Sequence, residues 1–390
     1  MDVLFLSSLC STNEYERMFE LYKSTSSHAS QKFNRLFVNG LVENGCNVEA
    51  LTKRIIFNYT KEERNHEDEE ENGIHYTYLP VYKRRFVDRI KTMWKTFRYV
   101  KKWQKKHPDG YVICDIILGE MSIGVWLASK FSKINSTAIV TDVPSIRAGG
   151  SRKGIKSIPV KIKNSMIAKY KSYVFLTEQM NVKLNPKNRP YAIIEGLVDD
   201  TIVNNPNLPE NKYPEKTVMM AGLLRDIYGV DMLVDAFKEV DCPEARLKFY
   251  GKGASVKKIE EASSEDSRIS YCGELTNQQI VEEEKKCTVL INPRPPIGEW
   301  TAYSFPSKNM EYMASGTPLV AFDLPCIPEE YKQYFYMIPE YTKDCIKTFL
   351  ENILKSDSME IHEFGIKAQS WIVDNKNPKA QIKKFLDVIS

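Results

Sequence analysis

Short apolar runs recur along this chain with amphipathic stretches between them, and that alternation leaves few folds open. VLFL (3–6), YVICDIIL (111–118), TAIVT (137–141), YVFLT (173–177) and AIIEG (192–196) form one series; TVMMAG (217–222), RLKFYG (246–251), CTVLINP (287–293) and PLVAF (318–322) form a second. Strand-length runs separated by helical patterns predict β-α-β units and parallel sheets, hence an α/β protein. Between the two series, VDDTIVNNPNLPENKYPEK (198–216) is rich in Asn and Pro and has no periodicity, which marks a connector. The expected domains are 1–198 and 215–370. In the remaining segment, 371–390, Ile382, Phe385, Leu386 and Ile389 share one face, predicting a helix that packs back toward the N-terminal domain. Ligands of open parallel sheets bind beyond the carboxyl ends of the strands, so two facing sheets predict an interdomain cleft lined by loops and helix N-termini.

A chain of 390 residues is long enough for two such cores. No apolar segment approaches the ~20 residues that span a bilayer, and MDVLFLSSLCSTNEYERMFE lacks the basic start and apolar core of a signal peptide, so a cytoplasmic location is expected. The eight cysteines form no C-x-x-C pair and the five histidines show no ligand spacing, which argues against a disulfide framework, a zinc site or a protein-held metal. No cofactor is expected.

Charge is unevenly spread. EERNHEDEEE (62–71) reads as a solvated acidic loop or insertion. Residues 83–106 are strongly basic, with Asp88 the lone acid, and the stretch from Arg152 to Lys171 adds further cations with no acid. Within 83–106, Phe86, Ile90, Met93, Trp94, Phe97 and Val100 make an apolar helical stripe beside the cations. That helix either lies on an anionic membrane at the inner face of the plasma membrane or packs its stripe on its own sheet, and the two are compatible. It carries no nucleic-acid motif, so no nucleic-acid partner is expected.

The densest cluster of chemistry is YSFPSKNMEYMASGTPLVAF (303–322). Ser307 is placed to N-cap a short helix ended by Ser315-Gly316, with Lys308 at its start and Glu311 near its first turn. A helix N-terminus beside a lysine suits phosphate oxygens, and a carboxylate there suits ribose hydroxyls; the plain alternative is a capped helix with both side chains solvated.

This stretch resembles the signature of glycosyltransferase family 4, retaining enzymes of the GT-B fold with two facing Rossmann-like domains. Glu311-Tyr312-Met313-Ala314-Ser315-Gly316-Thr317-Pro318 is similar to the second half of the family's E-x(7)-E motif, whereas Tyr303 stands where its first glutamate, which touches the donor sugar, would fall. Among bacterial capsule and O-antigen enzymes a subset carries Y-S-F-P-S-K here, which brings in Ser304; Glu299 is the nearby acid able to substitute. TVMMAGLLRDIYGVDMLVDAF (217–237) resembles the strand-loop-helix that opens the family's second domain: Gly222 is kept, while Leu223 and Tyr228 replace cations that bind the donor diphosphate. The resemblance thus assigns diphosphate contact to Arg225, Lys308 and Arg294. Gly251 and Gly253 of LKFYGKG match the family's G-x-G turn, and SYCGEL, with Glu274, matches the segment beside the nucleotide base. In SSHASQKFNRLFVNGLVENGCNVEALT (26–52), which includes the strand NVEALT, His28, Ser30 and Gln31 either face the acceptor or cap the helix. Asp142 takes the place of a family histidine near the reacting sugar; it either orients or deprotonates an acceptor hydroxyl or caps the Val143-Pro144 turn.

The resemblance implies transfer of a sugar, with retention and without a metal, from a nucleotide-diphosphate donor to a saccharide or lipid-linked oligosaccharide acceptor in surface polysaccharide synthesis. The alternatives it leaves are a nucleotide-sugar epimerase or a phosphorylase of the same architecture, or a scaffold that has lost the chemistry, to which Tyr303, Leu223 and Tyr228 point.

Overall fold

The computed structural model describes residues 1–22, 28–143, 146 and 164–390, side chains of 22, 28 and 29 excepted. The chain divides into two compact units, Met1–Leu197 with Pro378–Ser390, and Val198–Asn377.

The first unit is built on an eight-stranded sheet. In chain order its elements are β1 (Asp2–Ser7), α1 (Thr12–Tyr22), α2 (His28–Glu43), β2 (Asn47–Thr52), β3 (Glu69–Glu71), β4 (Ile74–Tyr78), α3 (Arg85–Lys106), β5 (Tyr111–Asp115), α4 (Gly119–Phe131), β6 (Asn135–Val140), β7 (Ser172–Phe175), α5 (Glu178–Leu184) and β8 (Tyr191–Ile193). The strand order is β3-β4-β2-β1-β5-β6-β7-β8, parallel throughout except for β3. Because β1 is followed by β2 on one side while β4 crosses back to β5 on the other, the direction of winding reverses between β1 and β5. Side chains of β1 and β5 are buried almost without exception, as expected for parallel strands covered on both faces.

The second unit has a six-stranded, fully parallel sheet in the order β11-β10-β9-β12-β13-β14. Its elements are β9 (Lys216–Leu223), α6 (Val230–Lys238), β10 (Ala245–Lys252), α7 (Val256–Glu265), β11 (Ile269–Tyr271), α8 (Asn277–Lys286), β12 (Val289–Asn292), α9 (Ser307–Ser315), β13 (Leu319–Phe322), β14 (Tyr336–Ile338), α10 (Lys343–Lys355) and α11 (Ser358–Lys376). Here the winding reverses between β9 and β12.

Three readings of the sequence gain detail or change. Residues 198–216, read as a connector, are stitched onto the second unit: Asn207 Nδ2 donates to the Ser315 carbonyl (3.0 Å) and Thr317 Oγ1 (2.9 Å), and Lys212 Nζ donates to the Cys287 carbonyl (2.9 Å). Burial pushes the Lys212 ammonium down to about 8. The C-terminal segment is two helices, not one. α11 ends at Lys376, Asn377 is extended (ψ 161°), and Pro378 opens α12 (Pro378–Ile389), whose Ile382 and Phe385 are buried in the first unit's core against α2. Proline lacks the N–H that would continue α11 and is preset for a first helical turn.

The acidic run is the third. Instead of a solvated loop it forms a short turn and β3, which adds to β4, and its carboxylates clamp α1 to the sheet. Glu63 takes Arg17 Nη1 at 2.7 Å and Arg54 Nη1 at 3.2 Å; Glu71 Oε2 accepts from Thr12 N at 2.9 Å; Glu69 bonds Ser11 and Tyr78. Glu14 and Arg54, fully buried, meet at 3.0 Å in the middle of this network.

Candidate active site

In a doubly wound sheet the place where winding reverses is where two loops diverge and leave a crevice. In the second unit that place is flanked by the ends of β9 and β12, and α9 begins beside it. Asn292 Nδ2, the last residue of β12, donates to Asn309 Oδ1 at 2.5 Å, and the Tyr312 hydroxyl both accepts from Ala221 N (2.7 Å) and donates to the Ala221 carbonyl (3.1 Å). These two ties lock α9 against both strands. Lys308 Nζ then pairs with Glu311 Oε1 at 2.5 Å, and a Cβ added to Gly222 would lie 3.6 Å from Lys308 Cε, so the lysine stem crosses the end of β9. Burial alone would lower the Lys308 pKa; the Glu311 and Glu284 carboxylates outweigh it and leave the ammonium above its ordinary value.

Ser307 does not cap α9. Pro306 takes the N-cap place with no side-chain cap, its carbonyl accepts from Asn309 N (2.8 Å), and Ser307 is an exposed first helical residue. The helix starts one residue earlier than its serine implied because the fixed proline ring already sets the entry. The N-cap residue therefore gives the N-terminal amides of α9 no side-chain hydrogen bond.

Gly251 and Gly253 are required by backbone approach. A Cβ at Gly251 would fall 2.0 Å from the Gly222 carbonyl oxygen, and one at Gly253 1.8 Å from that of Leu224, so the β10 turn is pressed onto the end of β9. Arg225 follows β9 as an exposed cation whose side chain makes no hydrogen bond or ion pair among the described residues. Arg294 is the opposite: its guanidinium is buried, stacked 4.1 Å over the Trp300 ring, and its Nε and Nη2 have no hydrogen-bond partner among the described residues. Burial holds its pKa below the usual arginine range. Tyr228 meets the same Trp300 edge-on at 6.0 Å, joining the loop after β9 to the loop after β12. Glu299 and Tyr303 bracket a single helical turn in that second loop, and the Ser304 carbonyl accepts from Cys326 Sγ at 3.5 Å. Glu274 forms an exposed pair with Lys252, between Gly251 and Gly253, at 2.9 Å. Tyr312, which the sequence reading quoted only as part of the motif, is the residue that fixes the height of α9 on the sheet.

The first unit also gathers polar groups where its winding reverses. Gln31 Oε1 accepts from Cys10 N (3.2 Å) and its Nε2 donates to the Ser8 carbonyl, so Gln31 is buried in holding the turn after β1. Asn34 Nδ2 donates to Asp115 Oδ2 at 3.0 Å, Ser30 Oγ lies 3.5 Å from the same oxygen, and Ile117 N donates to Asp115 Oδ1 at 3.0 Å. Asp115 and Asn34 went unread in the sequence, although an aspartate closing the apolar run YVICD was a signal. The side chain of His28 lies outside the described residues. Asp142 is exposed just beyond β6; the turn at Pro144 and the basic residues 152–163 lie outside the described residues. Among the described residues no group of three His, Cys, Asp or Glu side chains is placed to hold a metal ion.

Comparison with known proteins bears on the second unit first. Residues 215–355 match the family model described as glycosyl transferases group 1. A comparison with curated proteins finds no match. Among solved structures, the chain is similar to sucrose-phosphate synthase from Thermosynechococcus elongatus (TM-score 0.64, 15% identity, covering 99% of this chain and 98% of that one). It is also similar to a glycosyltransferase from Rickettsia africae (0.64, 14%, 100% and 97%) and to Anabaena HepE in complex with UDP and glucose (0.63, 10%, 99% and 99%). At these identities the likeness establishes the fold: two α/β units with parallel sheets, as in GT-B glycosyltransferases.

Proposed function

We propose that this chain is a glycosyltransferase that takes a nucleotide-diphosphate sugar and passes the glycosyl group, with retention and without a metal, to a saccharide hydroxyl, the acceptor being lipid-linked in surface polysaccharide synthesis. The observation that carries the reading is the Lys308–Glu311 pair seated on the end of β9, at an α9 N-terminus whose N-cap, Pro306, supplies no side-chain hydrogen bond, inside the segment that matches the group 1 model. The diphosphate is the leaving group of such a transfer. Lys308, Arg225 and the α9 amides are the groups assigned to its growing charge, and fixed donors aimed at developing charge are the main catalytic resource of an enzyme of this kind. Glu311 keeps Lys308 in place and receives ribose hydroxyls; Asp142 acts on the acceptor side. UDP, present in the HepE complex, is the first nucleotide to test.

Calorimetric titration with UDP, GDP and other nucleoside diphosphates, followed by incubation of nucleotide-sugars with a membrane extract read by mass spectrometry, tests the proposal. Binding of one nucleotide and a new glycosylated lipid are expected, with Lys308→Ala and Glu311→Ala folded but weakened roughly 30-fold or more in binding, as for truncation of a buried charged partner. Absence of binding to every nucleotide would make the chain a scaffold, and conversion of the nucleotide-sugar without acceptor would make it an epimerase.

A further inference from the structure

α3 leaves the N-terminal part of its apolar stripe exposed. The residues it buries are Thr92, Thr96, Val100, Trp103 and Gln104, and the Oγ1 atoms of Thr92 and Thr96 have no hydrogen-bond partner among the described residues. This threonine side is the one that meets α4: a Cβ at Gly124 would lie 2.7 Å from Thr96 Cβ and 2.8 Å from the Met93 carbonyl oxygen. Meanwhile Phe86, Ile90 and Trp94, spaced four apart, are 75%, 39% and 49% exposed. The apolar strip does not stop at α3. Trp94 meets Phe97 edge-on at 5.6 Å, Phe97 meets Phe131 at 6.0 Å, and Phe131, the last residue of α4, is 68% exposed.

Cations line this strip on both sides. Lys101 Nζ sits 5.5 Å and 5.6 Å from the Phe97 and Phe131 rings, Lys130 Nζ is 4.1 Å from the Trp126 ring, and Arg85, Arg89, Lys95 and Arg98 project from the same helix. The lone acid of α3, Asp88, is turned away and held by Lys53 at 2.6 Å; Glu120 opens α4. Among the described residues no helix is long and apolar enough to cross a membrane.

We infer that α3 and the end of α4 form a docking face for an anionic lipid bilayer, the aromatic strip entering the headgroup region and the flanking cations meeting phosphate. From Phe86 to Phe97 the strip runs roughly 16 Å along the helix axis, the geometry of a helix lying flat rather than inserting end-on. A protein partner fits less well, since protein interfaces are depleted of lysine at their centres, whereas interfacial helices combine Trp and Phe with a basic rim. The inference deepens the proposed function, in placing the chain where a lipid-linked acceptor resides, but its test needs neither donor nor acceptor.

Flotation of the full chain is measured with vesicles of phosphatidylcholine alone and of phosphatidylcholine with phosphatidylglycerol. Binding to the anionic vesicles is expected, at least about tenfold weaker on the neutral ones and weakened by salt. F86S/W94S/F131S, all at exposed positions, should abolish it with an unchanged melting temperature, and Trp94 fluorescence should shift to the blue on binding in the parent. Lys308→Ala should bind vesicles like the parent, so loss of transfer and loss of docking are separable. Equal binding to both vesicle types, no binding to either, or a concentration-dependent dimer dissolved by the triple variant would overturn the inference; the last would make the face a contact between copies.

Discussion

The two places where the sheets reverse their winding are built alike in backbone and differently in side chains. In the first unit, most polar groups at the reversal engage one another: Gln31 closes the turn after β1, Asn34 Nδ2 and a backbone N–H occupy Asp115, and nearby Glu14, Arg17, Arg54 and Glu63 form an ionic network, with Asn34 Oδ1 and Arg54 Nε left without a hydrogen-bond partner among the described residues. In the second unit, the ends of the strands are stripped to glycine at Gly222, Gly251 and Gly253; of the cations around them Lys308 pairs with Glu311 and Lys252 with Glu274, while Arg225 makes no hydrogen bond or ion pair among the described residues. A closed network stabilises the fold, while a cation cluster with uncapped amides leaves electrostatic demand for a ligand. The difference separates a scaffold role from a binding role within one repeated architecture.

The largest test of that distinction is Glu14→Ala. It leaves Arg54, 1% exposed at its side chain, with Glu63 as its remaining ionic partner among the described residues. Breaking a buried pair by removing one partner costs about 3 kcal/mol or more, so urea unfolding should shift by that amount while the affinity for nucleoside diphosphate stays unchanged. A loss of nucleotide affinity of similar size would break the comparison.

Next in size is Tyr312→Phe, which probes the other unit's scaffold rather than its cations. It removes a hydroxyl that serves both the N–H and the carbonyl of Ala221 in a fully buried setting. Leaving those groups unpaired costs roughly 1–3 kcal/mol, visible in urea unfolding, and nucleotide affinity should fall by less than in Lys308→Ala because the charges remain. A greater loss of affinity than in Lys308→Ala would mean that the position of α9, not its charge, does the binding.

Much of this was legible in the sequence and the reasons for the rest are physical. Each of the nine apolar runs overlaps a strand, because a strand covered on both faces needs a continuous apolar run. β11 and β14, three residues each, are too short to show a pattern, and β3 is made of glutamates. EERNHEDEEE read as solvent-exposed because its partners, Arg17 and Arg54, lie far away or outside the run in sequence. The stripe on α3 was found by its period, but a period identifies an apolar face without saying which side the protein buries; Thr92, Thr96 and Gly124 decided that. Around α9 the motif placed Lys308 and Glu311 together correctly, whereas the cap moved from Ser307 to Pro306, a shift of one residue that periodicity does not resolve.

The smallest expected effect is a pH dependence confined to the closed network. Hydrogen bonds from Arg17 outweigh partial burial and hold the Glu63 carboxyl below its ordinary 4.5. A carboxylate with a lowered folded-state value contributes stability that is fully present above its unfolded value and is lost as the pH falls through the folded one. The melting temperature of the parent should therefore be flat from neutral pH down to about pH 4.5 on this account and decline below it. In Glu63→Gln the neutral-pH melting temperature should be lower and the decline below that pH shallower, since the titrating group is gone. Nucleotide affinity measured at neutral pH should be the same in both, because the network that Glu63 completes belongs to the first unit and the Lys308–Glu311 pair to the second. An unchanged acid decline in Glu63→Gln would show that the Arg17 and Arg54 contacts of this carboxylate contribute nothing to the clamp on α1.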